Sequence, residues 1–461
     1  MKTLELTKIR SIKVFEVELS KPLAPLTDLQ GSEAVWLLVT LHGLPVGDVK
    51  FSNIIPRLEP DFLVEKIVTE LGWNILLHLL EDSLLAQSGY SAHFIPEVTA
   101  GEKPERERLV SLLANLQTQE GIEPPCIAWR RSKATWSVTV GVCTRNGAAQ
   151  LGTCLDALEK VDYPNFEILV IDNAPEDDST WRVVERYNSP KIRYLIEPRP
   201  GVSWARNRAI KEAHGDIIAF ADDDARPDSL WLLSLVAALQ RPATSLVVGA
   251  AYPQEIKNEA QVHCAHNWGH DKGFVRREYS RRVEGFPANP FNTNTYGGAY
   301  NLAAWKGVLE KFGGFDVTLG RGTLSGSASD TDLFYRMVRE YEAIVYEPTA
   351  LVKISYPDDF QYLIKHDNLG ASGYFAFLTK CFIKEPKNRL AALKMGVNGF
   401  FGWYLHRLTK EFSLAELPML ALRLKKLSPE QRILLSSIKG SLSGPRNYFR
   451  AVKRAKEIAN T

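Results

Sequence analysis

The chain has 461 residues, 45% of them apolar and 24% charged, with 31 Gly and 25 Pro. That length predicts about three domains, and that composition excludes collagen, low-complexity disorder and disulfide-stapled miniproteins. Lys+Arg 56 against Asp+Glu 54 leave a net charge of +2, which argues against a protein that coats nucleic acid, so no nucleic-acid partner is expected.

The five cysteines are odd in number and form no Cys-x-x-Cys pair, which reads as free thiols in a reducing compartment. Met1 to Arg10 mixes Lys2, Glu5, Lys8 and Arg10 with apolar residues, so no signal-peptide core is expected. No uncharged apolar run approaches the ~20 residues that span a bilayer. The expectation is a cytoplasmic protein, soluble or peripheral at the inner face of the membrane.

Residues 1–130 read as an accessory α+β module with a linker. Ser11 to Leu19 alternates as a strand does, and Ala34 to Leu41 with Val46 to Phe51 flank a turn at His42-Gly43-Leu44-Pro45, a hairpin pattern. Pro60 to Leu85 is apolar at helical spacing, and Glu102 to Arg108 and Pro124-Pro125 look like linker. No catalytic constellation shows in this module.

From Trp136 the pattern changes. Apolar runs at Val138–Cys143, Phe166–Ile171, Ile192–Ile196, Asp216–Ala221 and Ser245–Ala250 alternate with amphipathic stretches at Ala148–Glu159, Thr180–Tyr187, Val202–Ala213 and Ser229–Gln240. Strands separated by helices predict βαβ units, hence an α/β domain with a doubly wound, mainly parallel sheet. Ligands of such sheets bind beyond the carboxyl ends of the strands. Those ends carry Thr144, Arg145 and Asn146 after the first strand, Asp172 and Asn173 after the second, and Asp222-Asp223-Asp224 after the fourth.

Three carboxylates in a row repel one another, and a bound cation is a natural reason to keep them. Asp222 and Asp224 point the same way if the backbone is extended and could share one hard metal, Mg²⁺ or Mn²⁺. The competing reading is a solvated acidic turn capping the next helix. Gly201 to Arg208 opens a helix whose N-terminus suits an anion, with Arg206 or Arg208 adding charge-assisted contacts. Gly320 to Ser329 is Gly- and Ser-rich and reads as a mobile lid. It ends at Asp330-Thr331-Asp332, where Asp332 suits a helix cap or an acceptor contact and Asp330 a general base. His263, Cys264, His266 and His270 crowd together without the tight spacing of a structural zinc motif. From Glu385 to Thr461 there are 15 Lys+Arg and 5 Asp+Glu, so residues 361–461 read as a helical, basic C-terminal region. There Phe400, Phe401, Trp403 and Tyr404 lie among Lys394, Arg407 and Lys410, and Arg423, Lys425 and Lys426 follow in a Leu-rich helix. That mixture suits contact with an anionic membrane, the alternative being a helical subdomain packed on the core.

Together these motifs resemble the family-2 glycosyltransferases. Val138 to Asn146, Ile168 to Asn173, Pro200 to Asn207 and the Asp triplet are similar to that family's nucleotide-sugar half. Gly298 to Lys306, Gly313 to Asp316 and Asp330 to Leu333 are similar to its acceptor half. The resemblance runs from about Trp136 to Ile354 and implies a GT-A-like domain over residues 134–360. By position it gives Thr144, Arg145 and Asp172 to the nucleoside and Arg206 to the nucleotide. Asp222 and Asp224 fall at the two ends of the Asp-x-Asp motif, Asp224 being the usual metal ligand, with Asp223 among the nucleotide-sugar-binding residues. Asp330 matches the catalytic base. The implied reaction is metal-dependent, inverting transfer from a nucleoside-diphosphate sugar to a hydroxyl of a glycan, lipid-linked or other acceptor. Ser329 stands where many relatives have Glu, and Ile354 where many have a metal-binding His. Two readings compete with this one. A sugar nucleotidyltransferase would carry a Gly-rich phosphate loop, but Cys143 to Gly147 is short and poor in Gly. A degenerate nucleotide-sugar-binding or scaffold protein would bind without turnover.

Overall fold

The computed structural model describes residues 11–52, 56–85, 110–111, 113, 122–270, 272–282, 288–412 and 427–459. The linker expected at Glu102–Arg108 and the basic residues Arg423, Lys425 and Lys426 lie outside them.

Strands β1 (Ile12–Glu18), β2 (Ala34–Leu41) and β3 (Leu44–Ser52) form a small sheet in that order, β1 and β2 parallel and β2 and β3 antiparallel. The hairpin turn is shorter than the sequence suggested. His42 and Gly43 both take positive φ, 58° and 76°, as a two-residue turn that matches strand twist requires, and β3 therefore begins at Leu44. Helix α1 (Pro60–Leu85) covers one face with Leu63, Ile67, Leu71 and Ile75 against Val35, Leu37, Val39 and Leu41. The alternate residues Ala34, Trp36 and Leu38 face the other way and join the core of the large sheet. Strand β2 thus serves two cores at once, which is why it is apolar throughout rather than alternating.

Pro125, expected in a linker, instead starts helix α2 (Pro125–Ser132), since proline suits the first helical turn. The nine-stranded sheet then comprises β4 (Val138–Thr144), β5 (Phe166–Asn173), β6 (Ile192–Glu197), β7 (Ile217–Asp222), β8 (Ala225–Pro227), β9 (Thr244–Pro253), β10 (Arg277–Tyr279), β11 (Asn301–Trp305) and β12 (Ala343–Ile354). Its order is β10-β12-β9-β11-β7-β4-β5-β6, with β8 paired to β12. Strands β4 to β7 are mutually parallel, and β9 and β12 are parallel to each other. Antiparallel β11 lies between β7 and β9. The sheet is therefore mixed but mainly parallel. Its crossovers use α3 (Ala148–Leu158), α4 (Ser179–Glu185), α5 (Val202–Glu212) and α6 (Trp231–Leu239). Helices α7 (Glu259–Asn267), α8 (Lys306–Lys311) and α9 (Ser329–Arg339) complete this part.

Beyond it the chain is helical: α10 (Phe360–Lys384), α11 (Arg389–Asn398), a π-helical turn at Gly399–Tyr404, α12 (Leu405–Glu411) and α13 (Pro429–Ala459). Helices α10 and α13 approach closely at Gly440 and Gly444. A Cβ at Gly440 would strike the carbonyl of Asn368, and one at Gly444 would come within 2.7 Å of the Ser372 carbonyl.

Candidate active site

Three neighbouring strands end on one rim. Parallel register sets Thr144 beside Asp172 and Cys143 beside Asp222, so the polar ends of β4, β5 and β7 meet, as expected for an open α/β sheet. Asp172 is fully buried. Tyr194 Oη donates to its Oδ2 at 2.7 Å. Burial pushes this carboxyl up, against hydrogen bonds from Tyr194 and Thr180.

The Asp triplet turns from β7 into β8. Thr144 Oγ1 donates to Asp223 Oδ2 at 2.5 Å, and a Cβ at Gly147 would collide with that same carboxylate. Burial, which outweighs the Thr144 hydrogen bond, and the charges of Asp222 and Asp224 push Asp223 up to about 7. Burial and the Asp222 charge push Asp224 up to about 6, against the pull of Arg321. Two such carboxylates side by side, their charge poorly compensated by the protein, fit a hard divalent cation, which takes oxygen ligands and offsets the repulsion. Residues 223 and 224 form a turn rather than extended backbone, so strand alternation does not align Asp222 with Asp224; it is the turn that brings the Asp222 charge to bear on Asp224.

Arg206 is not on a solvated helix face. It is buried, with Nη2 at 3.4 Å from Asp222 Oδ1, Nη1 at 3.4 Å from Ser329 Oγ and its guanidinium 5.3 Å from the Phe315 ring centre. One cation thus joins the β7 strand end to the start of α9. Arg208 pairs instead with Glu212 one helical turn on, at 3.1 Å. The N-terminus of α5 is partly used by the protein itself. Gly201 N–H donates to Asn173 Oδ1 at 2.8 Å, and Val202 N–H to the Arg321 carbonyl at 3.0 Å.

Asp330 is half-buried in the first turn of α9. Its Oδ1 accepts from Thr331 N–H at 2.9 Å and its Oδ2 from Ala299 N–H at 3.3 Å. Burial, then the charges of Asp330 and Asp222, push the Tyr300 hydroxyl far up. Asp332 lies elsewhere. It is buried, and its carboxylate takes Arg336 Nε at 2.8 Å and Lys380 Nζ at 2.5 Å. Lys380 also reaches Asp316 Oδ2 at 2.6 Å. Asp332 is therefore a buried ion-pair member joining α9 to α10, not a helix cap, and the residue before this helix makes no side-chain cap.

The expected lid is pinned at both ends. Gly320 N–H donates to the Gly326 carbonyl at 2.8 Å, Ser327 N–H to Leu369 O at 3.0 Å, and Ser372 Oγ to Ser325 O at 2.9 Å. Gly326, at φ 99°, passes so close to the Leu369 carbonyl that a Cβ would clash; the glycines serve close packing here rather than motion. Only the tip around Arg321, Gly322 and Leu324 is exposed. Arg321 is the residue that sequence reasoning missed, since its charge acts on Asp224 across the loop. Its position in Gly320-Arg321-Gly322, a cation at a glycine-flanked tip, was the available signal. The histidines of the β9–β10 connection separate onto different rings: His263 on Phe360, His266 on Trp36 and His270 on Tyr356. Ile354 is buried in the core of the large sheet.

Residues 139–299 match the family described as Glycosyl transferase family 2. The glycosyltransferase AglE of Haloferax volcanii is 32% identical over 117 residues, 24% of this chain and 38% of that protein. The amylovoran biosynthesis glycosyltransferase AmsB of Erwinia amylovora is 33% identical over 111 residues, 23% of this chain and 37% of that protein. The aligned part of the chain thus spans little more than a third of these relatives. Among solved structures, the mannosyltransferase PcManGT from Pyrobaculum calidifontis in complex with GDP-Man and Mn²⁺ aligns over 68% of this chain and 88% of its own. That alignment has 21% identity and a TM-score of 0.45.

Proposed function

We propose that the chain, whose residues 139–299 match the family described as Glycosyl transferase family 2, transfers a sugar from a nucleoside-diphosphate sugar to an acceptor hydroxyl with inversion at the anomeric carbon. The observation that carries this reading is that Arg206 joins the Asp222 strand end to Ser329, the residue before Asp330.

In this reading Asp172 accepts from a donor on the nucleobase, and Thr144 and Arg145 line the nucleoside at the end of β4. Thr144 also fixes Asp223 beside the nucleotide sugar. Asp222 and Asp224 would hold Mg²⁺ or Mn²⁺, which supplies charge stabilisation to the departing diphosphate. Arg206 holds Asp222 in place and adds positive charge near the nucleotide. Asp330, oriented by the Ala299 and Thr331 amides, accepts the proton of the acceptor hydroxyl as that oxygen attacks, so a single displacement inverts the centre. A glycan or lipid-linked acceptor approaches from the α9 side.

The C-terminal helices support a peripheral role at an anionic membrane. Leu390, Leu393, Val397, Phe401, Trp403 and Leu405 are exposed, beside Lys394 and Arg407, and the Arg407 guanidinium sits 5.0 Å from the Trp403 ring centre. Among the described residues no helix is long and apolar enough to cross a membrane. Lipid contact would therefore lie along the surface, by apolar insertion plus basic charge.

The test is a calorimetric panel of UDP-, GDP- and dTDP-sugars against the full chain with Mn²⁺, with Mg²⁺ and in EDTA. One donor is expected to bind only with metal and to be turned over on an acceptor. If no donor binds under any condition, the reading falls. Binding without turnover on any glycan or lipid-linked acceptor would instead favour a non-catalytic nucleotide-sugar-binding protein.

A further inference from the structure

Far along the chain from the Asp rim, four side chains from separate elements converge. His42 comes from the β2–β3 turn, His78 and Asp82 from successive turns of α1, and Cys126 from the start of α2. Their ligand atoms all lie within 4.8 Å of one another, and among the described residues this is the one group of His, Cys, Asp and Glu that meets so closely. His42 Nδ1 is 3.2 Å from His78 Nε2 and 2.9 Å from Asp82 Oδ2. His78 Nε2 is 3.5 Å from Asp82 Oδ2, and Cys126 Sγ is 3.7 Å from both imidazole nitrogens. A tetrahedral ion with bonds of ~2.0–2.1 Å to nitrogen and oxygen and ~2.3 Å to sulfur requires edges of roughly 3.3–3.6 Å. The separations of 2.9–3.7 Å bracket that range, and the donor set is one that zinc takes.

We propose that His42, His78, Asp82 and Cys126 form a closed, structural Zn²⁺ site. Three further observations support it. The site is dry: Cys126 is fully buried, and the side chains of His42, His78 and Asp82 are at most 10% exposed. Charge closes as well, because one carboxylate and one thiolate neutralise a divalent ion while both imidazoles stay neutral. Without an ion, the two imidazoles compete for one carboxylate oxygen, with His42 Nδ1 at 2.9 Å and His78 Nε2 at 3.5 Å from Asp82 Oδ2.

The outer partners hold the ligands as structural metal sites require. Asp82 Oδ1 accepts from Cys126 N–H at 2.8 Å, leaving Oδ2 for the ion. Glu18 accepts from His42 N–H at 3.0 Å and Gly43 N–H at 2.8 Å, fixing the strained turn that presents His42. Four protein ligands leave no open position, so the role is structural rather than catalytic. The ion would clamp the hairpin, α1 and α2 at one point. Leu44, Cys126 and Ile127 pack there against Leu230, just before the first turn of α6. The accessory module would then be fastened to the α/β domain by a metal as well as by packing.

The test is metal analysis of the full-length protein after gel filtration, with Co²⁺ substitution. One zinc per chain is expected, retained in Asp224→Ala, which touches only the Asp rim, and lost in Cys126→Ser and Asp82→Asn. The Co²⁺ form should show intense tetrahedral d–d bands with a thiolate charge-transfer band. Cys126→Ser should remove that band, and chelation of the wild type should lower its thermal midpoint. If Cys126→Ser does not fold, the wild-type Co²⁺ spectrum decides alone. Folded wild-type protein with no stoichiometric zinc, after growth or refolding with zinc, and no tetrahedral Co²⁺ spectrum overturns the proposal.

Discussion

Asp330 and Asp332 sit two residues apart in one helix, and the same substitution should affect them in opposite ways. Asp332 is 1% exposed and holds two cations, Lys380 at 2.5 Å and Arg336 at 2.8 Å. Removing one partner of a buried pair costs ~3–5 kcal/mol when the other charge is stranded. Here neither cation is fully stranded, since Lys380 keeps Asp316 and Arg336 keeps the Gly314 carbonyl. Asp332→Asn should therefore cost about 2–3 kcal/mol of stability. Asp330→Asn keeps an oxygen for one of its two backbone amides and turns an NH2 donor on the other, so at this half-buried position it should cost about 1 kcal/mol. As the proposed base, it should lower kcat ~10²–10⁴-fold and leave donor affinity near wild type. Both variants would be compared by urea denaturation and by turnover at saturating donor. If Asp332→Asn unfolds at the wild-type midpoint while Asp330→Asn keeps wild-type kcat, the division of roles is wrong.

Asp224→Ala should abolish the metal-dependent part of nucleotide-sugar affinity, measured by calorimetry with Mn²⁺ and with EDTA; equal affinities in both would remove the metal from the site. Asp316 is pushed up by burial but held below the usual carboxylate range by Lys380 and the Thr318 hydrogen bonds. Its contribution is therefore present above the unfolded carboxylate pKa of about 3.9 and lost as pH falls through its lower folded value. Urea midpoints measured from pH 6 down to pH 3 should drop in the wild type, and Lys380→Met should begin from a lower midpoint and lose less. Replacing Phe401 and Trp403, 61% and 49% exposed, by Glu should cut flotation with anionic liposomes at least ~10-fold, since two apolar insertions are lost and two negative charges are added. Flotation unchanged by that pair of substitutions would place any lipid contact elsewhere.

Period and polarity carried most of the α/β domain. Val138, Val140 and Val142 with Phe166 to Ile171 could be little else than buried parallel strands, and the register that follows puts Thr144, Asp172 and Asp222 together without further information. Arg206 was harder, because its burial depends on Ser329 arriving from more than a hundred residues away. The same difficulty hid the loop contacts: a run with Gly320, Gly322 and Gly326 looks mobile until Leu369 and Ser372 are seen against it. The His42 cluster was the least legible. Four ligands are drawn from a turn, a helix and a second helix start, and no local spacing announces them except His78 and Asp82 one turn apart. In the C-terminal region the aromatic set divides: Phe401 and Trp403 face outward, whereas Tyr404 is buried with Phe400 packed against its cluster.

The close approach of α13 to α10 at Gly440 and Gly444 has its counterpart about a quarter-turn around α10, at Gly373. A Cβ at Gly373 would come within 2.5 Å of the Ser327 carbonyl, two residues before Ser329. Three backbones therefore stack with almost no side-chain padding, from the last helix through α10 to the segment that carries Asp330. Such a stack transmits displacement poorly absorbed by rotamers, like shims in a hinge. Trimming the chain before Pro429 would be unlike removing an appendage, because the segment that carries Asp330 would lose the packing that backs α10.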